Sequence, residues 1–461
     1  MTDAVQKHRT RSIVVMCIVA ATGGFLYGFD IAVIAGALPQ ISAMWRLSSI
    51  EEGMLASAIL GGGMVGSLIG GGLADRFGRR SIMMGTAALF VIGAFWCGLA
   101  SSLWPLTAGR ALLGVAVGIV LVAVPLYIAE IAPPNIRGAL VSMQQLFLSG
   151  GVLVAYLVNT LFAADAEGWR PMFMAGALPG VLLGVGMLFM PESPRWYLSR
   201  GRLGSAKRML RRLGYADAEG QEEIAALQGT LGEDNSTATW KELSEPWLRP
   251  AMFIGVALIF YQQMSGIGFV TFYTPTIFAL AGYEMKSSAM LLTVGVGALN
   301  LVMTAVAMAL VDRIGRRPMF IGGLVGIVVT LTATGLSIFY VADIPAMRWL
   351  VVTAVFLYII VFSLSLGSVT GAVTSEIFPQ RVRGLALSVV VVAAWLFEIA
   401  VSATFPPFVE MFGASATFIA YALVGVSGLV FGLFYLPETR GRTLEEIEAF
   451  WRSGQSPSRL R

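Results

Sequence analysis

The sequence predicts an all-α membrane protein of twelve transmembrane helices, arranged as two six-helix pseudo-repeats with a cytoplasmic helical linker between them. Three observations carry that prediction. Of the 461 residues, 57% are hydrophobic and only 13% charged, roughly half the charged share of a soluble domain. Apolar runs long enough for a hydrocarbon core of about 30 Å recur along the whole chain. Short charged motifs at the ends of these runs return, in the same order, in the second half.

The runs fall at 13–38, 53–74, 82–100, 105–130, 139–162 and 171–190, then at 250–281, 287–311, 318–341, 348–378, 384–408 and 415–436. The first is preceded by KHRTR, as in a secretory signal, but it is too long for a signal core and reads as a first transmembrane helix. Between the two sets lies a polar stretch beginning PESPRWYLSRGR, in which SAKRMLRRL and EEIAALQGTL have the spacing of short amphipathic helices. The expected organisation is therefore an N-terminal bundle at 1–190, a linker at 191–249, a C-terminal bundle at 250–436 and a tail at 437–461. RFGRR, the stretch 195–212, RIGRR, RVR and the tail are arginine-rich, whereas the opposite loops carry isolated cations such as Arg46, Arg170, Lys286 and Arg348. By the positive-inside rule the arginine-rich side is cytoplasmic, which puts both termini inside a cell (inner) membrane that the chain crosses many times.

The internal repeat is explicit. LADRFGRR (73–80) returns as LVDRIGRR (310–317), EIAPPNIRG (130–138) as EIFPQRVRG (376–384), and PES (191–193) as PET (437–439). The separations are nearly constant, as two copies of one unit with slightly different loops would give. Each copy starts and ends on the same side, so the repeats are parallel. Transporters built this way bind near the midplane and alternate access by rocking.

These motifs also place charge. Asp75, Arg76, Arg79 and Arg80 end the second helix, and Asp312, Arg313, Arg316 and Arg317 the eighth. Glu130 and Arg137 stand at the end of the fourth, Glu376 and Arg383 at the end of the tenth, and Glu192 and Glu438 after the sixth and twelfth. Arginine forks pair bidentately with carboxylates, so the expectation is a cytoplasmic ionic network that braces one side shut. Topology marking alone explains the arginines but not the glutamates at matching offsets.

Inside the runs polar groups are few. Asp30 sits among Gly23, Gly24, Gly28 and Gly36 in the first, where a charge is costly by roughly 2.5–3.5 kcal/mol on insertion scales; a chain that keeps one there uses it to pair, to bind or to carry a proton. Arg110, in the fourth, lies at a depth differing by roughly 4–5 Å at 1.5 Å per residue, within reach of its side chain. The single histidine, His8, belongs to the polar N-terminal tail, so proton work inside the membrane falls to carboxylates. Cys17 and Cys97 lie within apolar runs and support neither a disulfide nor a metal site. The net charge of +4 sits in short loops and points to no nucleic acid. The chain has no Walker-type loop, and no covalent chemistry, cofactor or metal is expected of it.

GGLADRFGRR, PLYIAEIAPPNIRG, PESPRWYLSRGR, QQMSGIGFVTFYTP, SEIFPQRVRG and PETRGRTLEE, spread over nearly the whole chain, resemble the sugar porter family of the major facilitator superfamily. The resemblance implies the two-bundle major facilitator fold and monosaccharide transport. It matches Asp30 and Arg110 to the pair used by proton-coupled members. Gln145, Gln262, Gln263 and Asn300 match positions that hold sugar hydroxyls, which suit amides because both need donors and acceptors, and Trp395 matches an aromatic beside the sugar. Four positions depart from the family pattern. Gly268 replaces an asparagine, Gly371 a tryptophan and Val152 a glutamine found in some members. Glu398 stands where asparagine is frequent, and its alternatives are hydroxyl binding, cation binding, a second protonation site or a buried structural acid. The resulting expectation is a proton symporter for a monosaccharide or related polyol, working as a monomer in the lipid bilayer. A facilitator, a proton-coupled carrier of an organic acid or amine, and a sugar receptor are the alternatives. A receptor would be expected to have a longer signalling extension than 437–461.

Overall fold

The computed structural model describes residues 3–133, 136–212, 215, 220–222, 224–226, 228–229, 240–379, 381–440, 442, 444–453 and 455, without the side chains of 3–11, 312, 444 and 445. Among these residues there is no strand. Twelve helices are long and apolar enough to cross a membrane: Ser12–Trp45, Ser49–Phe77, Arg79–Leu99, Leu103–Ile131, Arg137–Phe162, Trp169–Phe189, Arg249–Leu280, Met285–Val311, Arg316–Tyr340, Met347–Ile377, Arg383–Phe412 and Ala414–Phe434. In chain order they are the first to twelfth spans. Each overlaps one of the predicted runs and starts one to four residues before it; six of the runs reach one or two residues past the end of their helix.

Two compact units emerge: one of Met1–Asp30, Gly61–Gly151 and Phe173–Thr237, the other of Ile31–Leu60, Val152–Met172 and Ala238–Arg461. In the first unit, backbones approach where glycine permits. A β-carbon on Gly28 would lie 1.8 Å from the Leu148 carbonyl oxygen, so the first and fifth spans touch backbone to backbone, as small residues allow within lipid. Cys17 and Cys97 are wholly buried and unpaired.

Three spans that read as continuous runs are broken inside. The seventh stops at Met264 and restarts at Ile267, with Gly266 left-handed at φ 94° and Tyr273 non-helical just before Pro275. The tenth breaks at Ser365, whose φ of −122° and ψ of −95° are not helical. The sixth is interrupted at Gly176. The apolar composition continues across all three breaks, which is why hydropathy passes over them. Broken helices free backbone carbonyls, and at membrane depth these must be met by other groups.

The linker begins with a short helix, Pro194–Ser199, whose N-cap Ser193 accepts a hydrogen bond from the Trp196 amide. The helix Leu203–Arg212 buries Ala206, Met209 and Leu210, and Leu198, Ala206, Leu210 and Ile224 form a small core with Tyr197 and Tyr215 against it. SAKRMLRR, 205–212, is thus helical as the periodicity of SAKRMLRRL predicts, the last leucine lying outside the described residues. EEIAALQGTL lies partly outside the described residues. After the last span, the helix Leu444–Arg452 anchors on the second unit through buried Trp451, whose indole N–H donates to the Ile377 carbonyl.

Candidate transport site

Asp30 and Arg110 meet inside the first unit. Arg110 Nη1 lies 3.7 Å from Asp30 Oδ1, and the side chains are 0% and 2% exposed for arginine and aspartate respectively. That separation is a charge contact and longer than a hydrogen bond. Asp30 Oδ2 has no hydrogen-bond partner, and the Phe173 ring lies 5.7 Å from the guanidinium carbon of Arg110. Arg110 is thus the charge partner of a buried carboxylate whose second oxygen is unbonded.

The repeated charged motifs build the same device twice. In the first unit Gly78 has φ 95° and ψ 151°, which lets the chain turn from the second span straight into the third. Glu192 fills the turn, accepting from the Arg79 and Arg80 amides at 2.9 and 3.1 Å. In the second unit Gly315 has φ 104° and ψ 154°, and Glu438 accepts from the Arg316 and Arg317 amides, both at 3.1 Å. An anion at a helix N-terminus is favoured by the free amides and the positive end of the helix dipole. This corrects the expectation of arginine-fork partners for Glu192 and Glu438: both receive backbone amides.

The side chains of those arginines go elsewhere. Arg79 reaches Asp75 and Glu130, each at 2.9 Å, and Arg316 reaches Glu376 at 2.9 Å. Glu376 also accepts from Thr439 Oγ1 at 2.5 Å. Arg80 donates to the carbonyls of Met187 and Leu188, and Arg317 to those of Gly432 and Leu433. Arg137 and Arg383 donate to the Ala132 and Phe378 carbonyls at the ends of the fourth and tenth spans. Arg76 lies 5.3 Å from the Phe77 ring, Arg313 is exposed, and the Asp312 side chain lies outside the described residues. The ion pairs of Arg79 and Arg316 are each internal to one unit.

The amide-bearing residues divide between the units. Gln145 belongs to the first and is exposed, while its neighbour Gln144 is buried. In the second, Gln262 Nε2 donates to the Leu366 carbonyl at 3.0 Å, on the restarted part of the tenth span. Gln263 Nε2 donates to the Ala394 carbonyl at 3.4 Å, and Gln263 also hydrogen-bonds Glu398. Asn300 Nδ2 is 3.4 Å from Ser363 Oγ, and Trp395 is buried. Gln262 and Asn300 each spend one amide donor on these bonds, whereas Gln263 is engaged by both Ala394 and Glu398. A side chain at Gly371 would meet open space. Residues that the sequence did not single out also converge here. Tyr156 donates to the Thr271 carbonyl at 2.9 Å, Tyr358 to the Ser265 carbonyl at 3.1 Å and Tyr273 to the Ser402 carbonyl at 3.2 Å. They tie the broken seventh span in place, and nothing in a run of aromatics distinguishes such tyrosines from core before the break is seen.

A family model described as Sugar (and other) transporter matches residues 16–451. The glucose transporter GlcP of Staphylococcus epidermidis is 38% identical over 433 residues, spanning 94% of this chain and 95% of its own. The galactose-proton symporter of Escherichia coli K12 is 34% identical over 451 residues, 97% of each chain. Among solved structures, the inward-open xylose transporter XylE from E. coli aligns with a TM-score of 0.82 at 29% identity, covering 95% of this chain and 100% of its own. The fold, the matched residues and the relatives agree: the chain is a multi-pass membrane transporter, not an enzyme, and belongs to the sugar porter family of the major facilitator superfamily.

Proposed function

We propose that this sugar transporter is a secondary active one, moving a monosaccharide or related polyol inward together with a proton. The observation that carries the coupling is the buried Asp30–Arg110 pair, 3.7 Å apart with one carboxylate oxygen unbonded. While Asp30 is ionised, its attraction to Arg110 holds the first and fourth spans together. Protonation removes that attraction and makes the conformational change easier. One charge moved through 100 mV supplies about 2.3 kcal/mol, enough for accumulation of roughly fiftyfold at about 1.4 kcal/mol per tenfold.

In this reading Gln145, Gln262, Gln263, Asn300 and Trp395 hold the sugar, the two six-helix bundles alternate access, and the arginine-rich ends and both termini face the cytoplasm of a bacterial-type inner membrane. The galactose-proton symporter among the relatives supports a sugar moved with a proton, and the D-xylose transporter of Levilactobacillus brevis supports a sugar. The test is uptake into proteoliposomes of D-glucose, D-xylose, D-galactose and myo-inositol under an inward proton gradient. Accumulation above equilibrium, with alkalinisation of the outside medium when sugar is added, is expected. Asp30→Asn should lose accumulation and keep sugar exchange. Sugar uptake without proton movement would make the protein a facilitator.

A further inference from the structure

The guanidinium groups of Arg80 and Arg317 share a setting that sugar binding and proton coupling do not use. Exposed apolar residues run along the sixth span at helical spacing: Leu178, Val181, Leu182, Val185, Leu188 and Phe189. The twelfth span repeats the pattern with Leu423, Val426, Val430, Leu433 and Phe434. The other side of each helix is closed. Gly180 and Gly184 bring the third span against the sixth, and Gly425 and Gly432 bring the ninth against the twelfth. Each stripe is therefore a face that its unit turns toward the acyl chains of a bilayer.

Both stripes end at the arginine-rich side. There Arg80 Nε and Nη2 donate to the Met187 and Leu188 carbonyls at 3.0 and 2.8 Å. Arg317 Nε and Nη2 donate likewise to Gly432 and Leu433, at 3.4 and 2.7 Å. Capping the last carbonyls of a helix explains these bonds, but it occupies only part of a fork with five N–H groups. Nη1 of each has no partner among the described residues, and neither guanidinium has a counter-ion among them. The repeated carboxylates are engaged elsewhere: Glu192 and Glu438 take backbone amides, Glu130 pairs with Arg79 and Glu376 with Arg316. Further cations gather beside both forks. Exposed Arg200 reaches the Asp75 and Arg76 carbonyls, and the stretch 195–212 has seven Lys or Arg and no Asp or Glu. Its helix buries Ala206, Met209 and Leu210 and leaves Lys207, Arg208 and Arg212 exposed. Arg313 and Arg440 are exposed near Arg317 in the chain and after the twelfth span. A fork without a counter-ion at the end of an apolar stripe suits a molecule with phosphate at one end and hydrocarbon at the other. The surrounding cations favour one of net negative charge.

We propose that Arg80 and Arg317 are twin headgroup sites for an anionic phospholipid in the leaflet on the arginine-rich side. Each fork binds the lipid phosphate, while the acyl chains lie along the exposed stripe of the sixth or the twelfth span. The repeat thus supplies one such site in each unit.

The test is native mass spectrometry of delipidated full-length protein in detergent, with dioleoylphosphatidylglycerol or dioleoylphosphatidylcholine added. Two phosphatidylglycerols should be retained per chain, and phosphatidylcholine should be lost first. Arg80→Gln and Arg317→Gln should each weaken one site by about tenfold, as for a lost hydrogen bond to a charged group. Arg348→Gln, which removes an exposed cation from the opposite loops, should leave both sites intact. Unchanged retention in Arg80→Gln and Arg317→Gln overturns the proposal, and so does equal retention of the two lipids. Displacement of the lipid by millimolar inorganic phosphate makes these sites for the free anion and overturns it. A lipid-free dimer puts a second copy on the stripes and also overturns it. Should the variants fold poorly, the wild type decides alone. A phosphatidylglycerol with a diazirine on its acyl chain should label 178–189 and 423–434, and labelling confined to other segments overturns the sites. No arm needs a sugar, so the outcome is independent of what the protein carries.

Discussion

Arg110 and Asp30 show how one residue's burial depends on another's charge. Arg110→Met would leave Asp30 buried without its counter-ion, a loss of about 3–5 kcal/mol when a buried pair is broken from one side. The sign with pH follows from the carboxyl group. In acid, Asp30 takes up a proton and the arginine is hardly missed; in alkali it must stay protonated at increasing cost or ionise alone. Thermal unfolding of Arg110→Met in detergent should therefore fall furthest behind the wild type at alkaline pH, and the double variant with Asp30→Asn should recover most of the difference. Gln262→Ala removes one donor–acceptor group and should weaken sugar binding about tenfold, near 1.4 kcal/mol, as read by calorimetry. The pairing of Asp30 with Arg110 was legible in the sequence because helical rise converts residue offsets into depth. The neighbours of Glu398 were not, because Gln263 and Gly268 meet it only where the seventh and eleventh spans cross.

At the scale of the element, the two glycine turns carry a measurable asymmetry. Gly78 and Gly315 share a backbone conformation that is essentially restricted to glycine and costs about 1–3 kcal/mol for other residues. A β-carbon would also lie 2.2 Å from Glu192 Oε2 at Gly78, but 2.9 Å from Glu438 Oε2 at Gly315. Gly78→Ala should accordingly lower the unfolding temperature more than Gly315→Ala. Glu192→Gln, which keeps the shape but gives up the negative charge, should cost less than either, about 0.5–2 kcal/mol as for a lost cap. The sequence displayed the glutamates at repeated offsets, and so announced that a device existed. It hid the partners, because backbone amides leave no letter in the sequence and arginine side chains do. The breaks at Gly266 and Ser365 were hidden for a related reason: hydropathy measures how apolar a run is, not whether its backbone stays helical.

For the whole molecule, twelve spans, their order and the sugar porter family were all readable beforehand, since lipid demands long apolar helices and the repeated motifs fix how they follow one another. The division into bundles at 1–190 and 250–436 remains a proposal about what moves. Compactness instead assigns 31–60 and 152–172 to the same unit as the second half. Orientation is open to a direct check. Single cysteines introduced at exposed Arg202 and exposed Asp165 should react with a membrane-impermeant maleimide from opposite sides, Arg202→Cys only from the cytoplasm and Asp165→Cys only from outside. Reaction of both from one side would discard the assigned topology. The protein is well suited to such work as it stands. Cys17 and Cys97, both wholly buried, are shielded from aqueous reagents, since reactivity needs an accessible thiolate. The native chain thus offers a silent background, on which every probe attached reports only the position chosen for it.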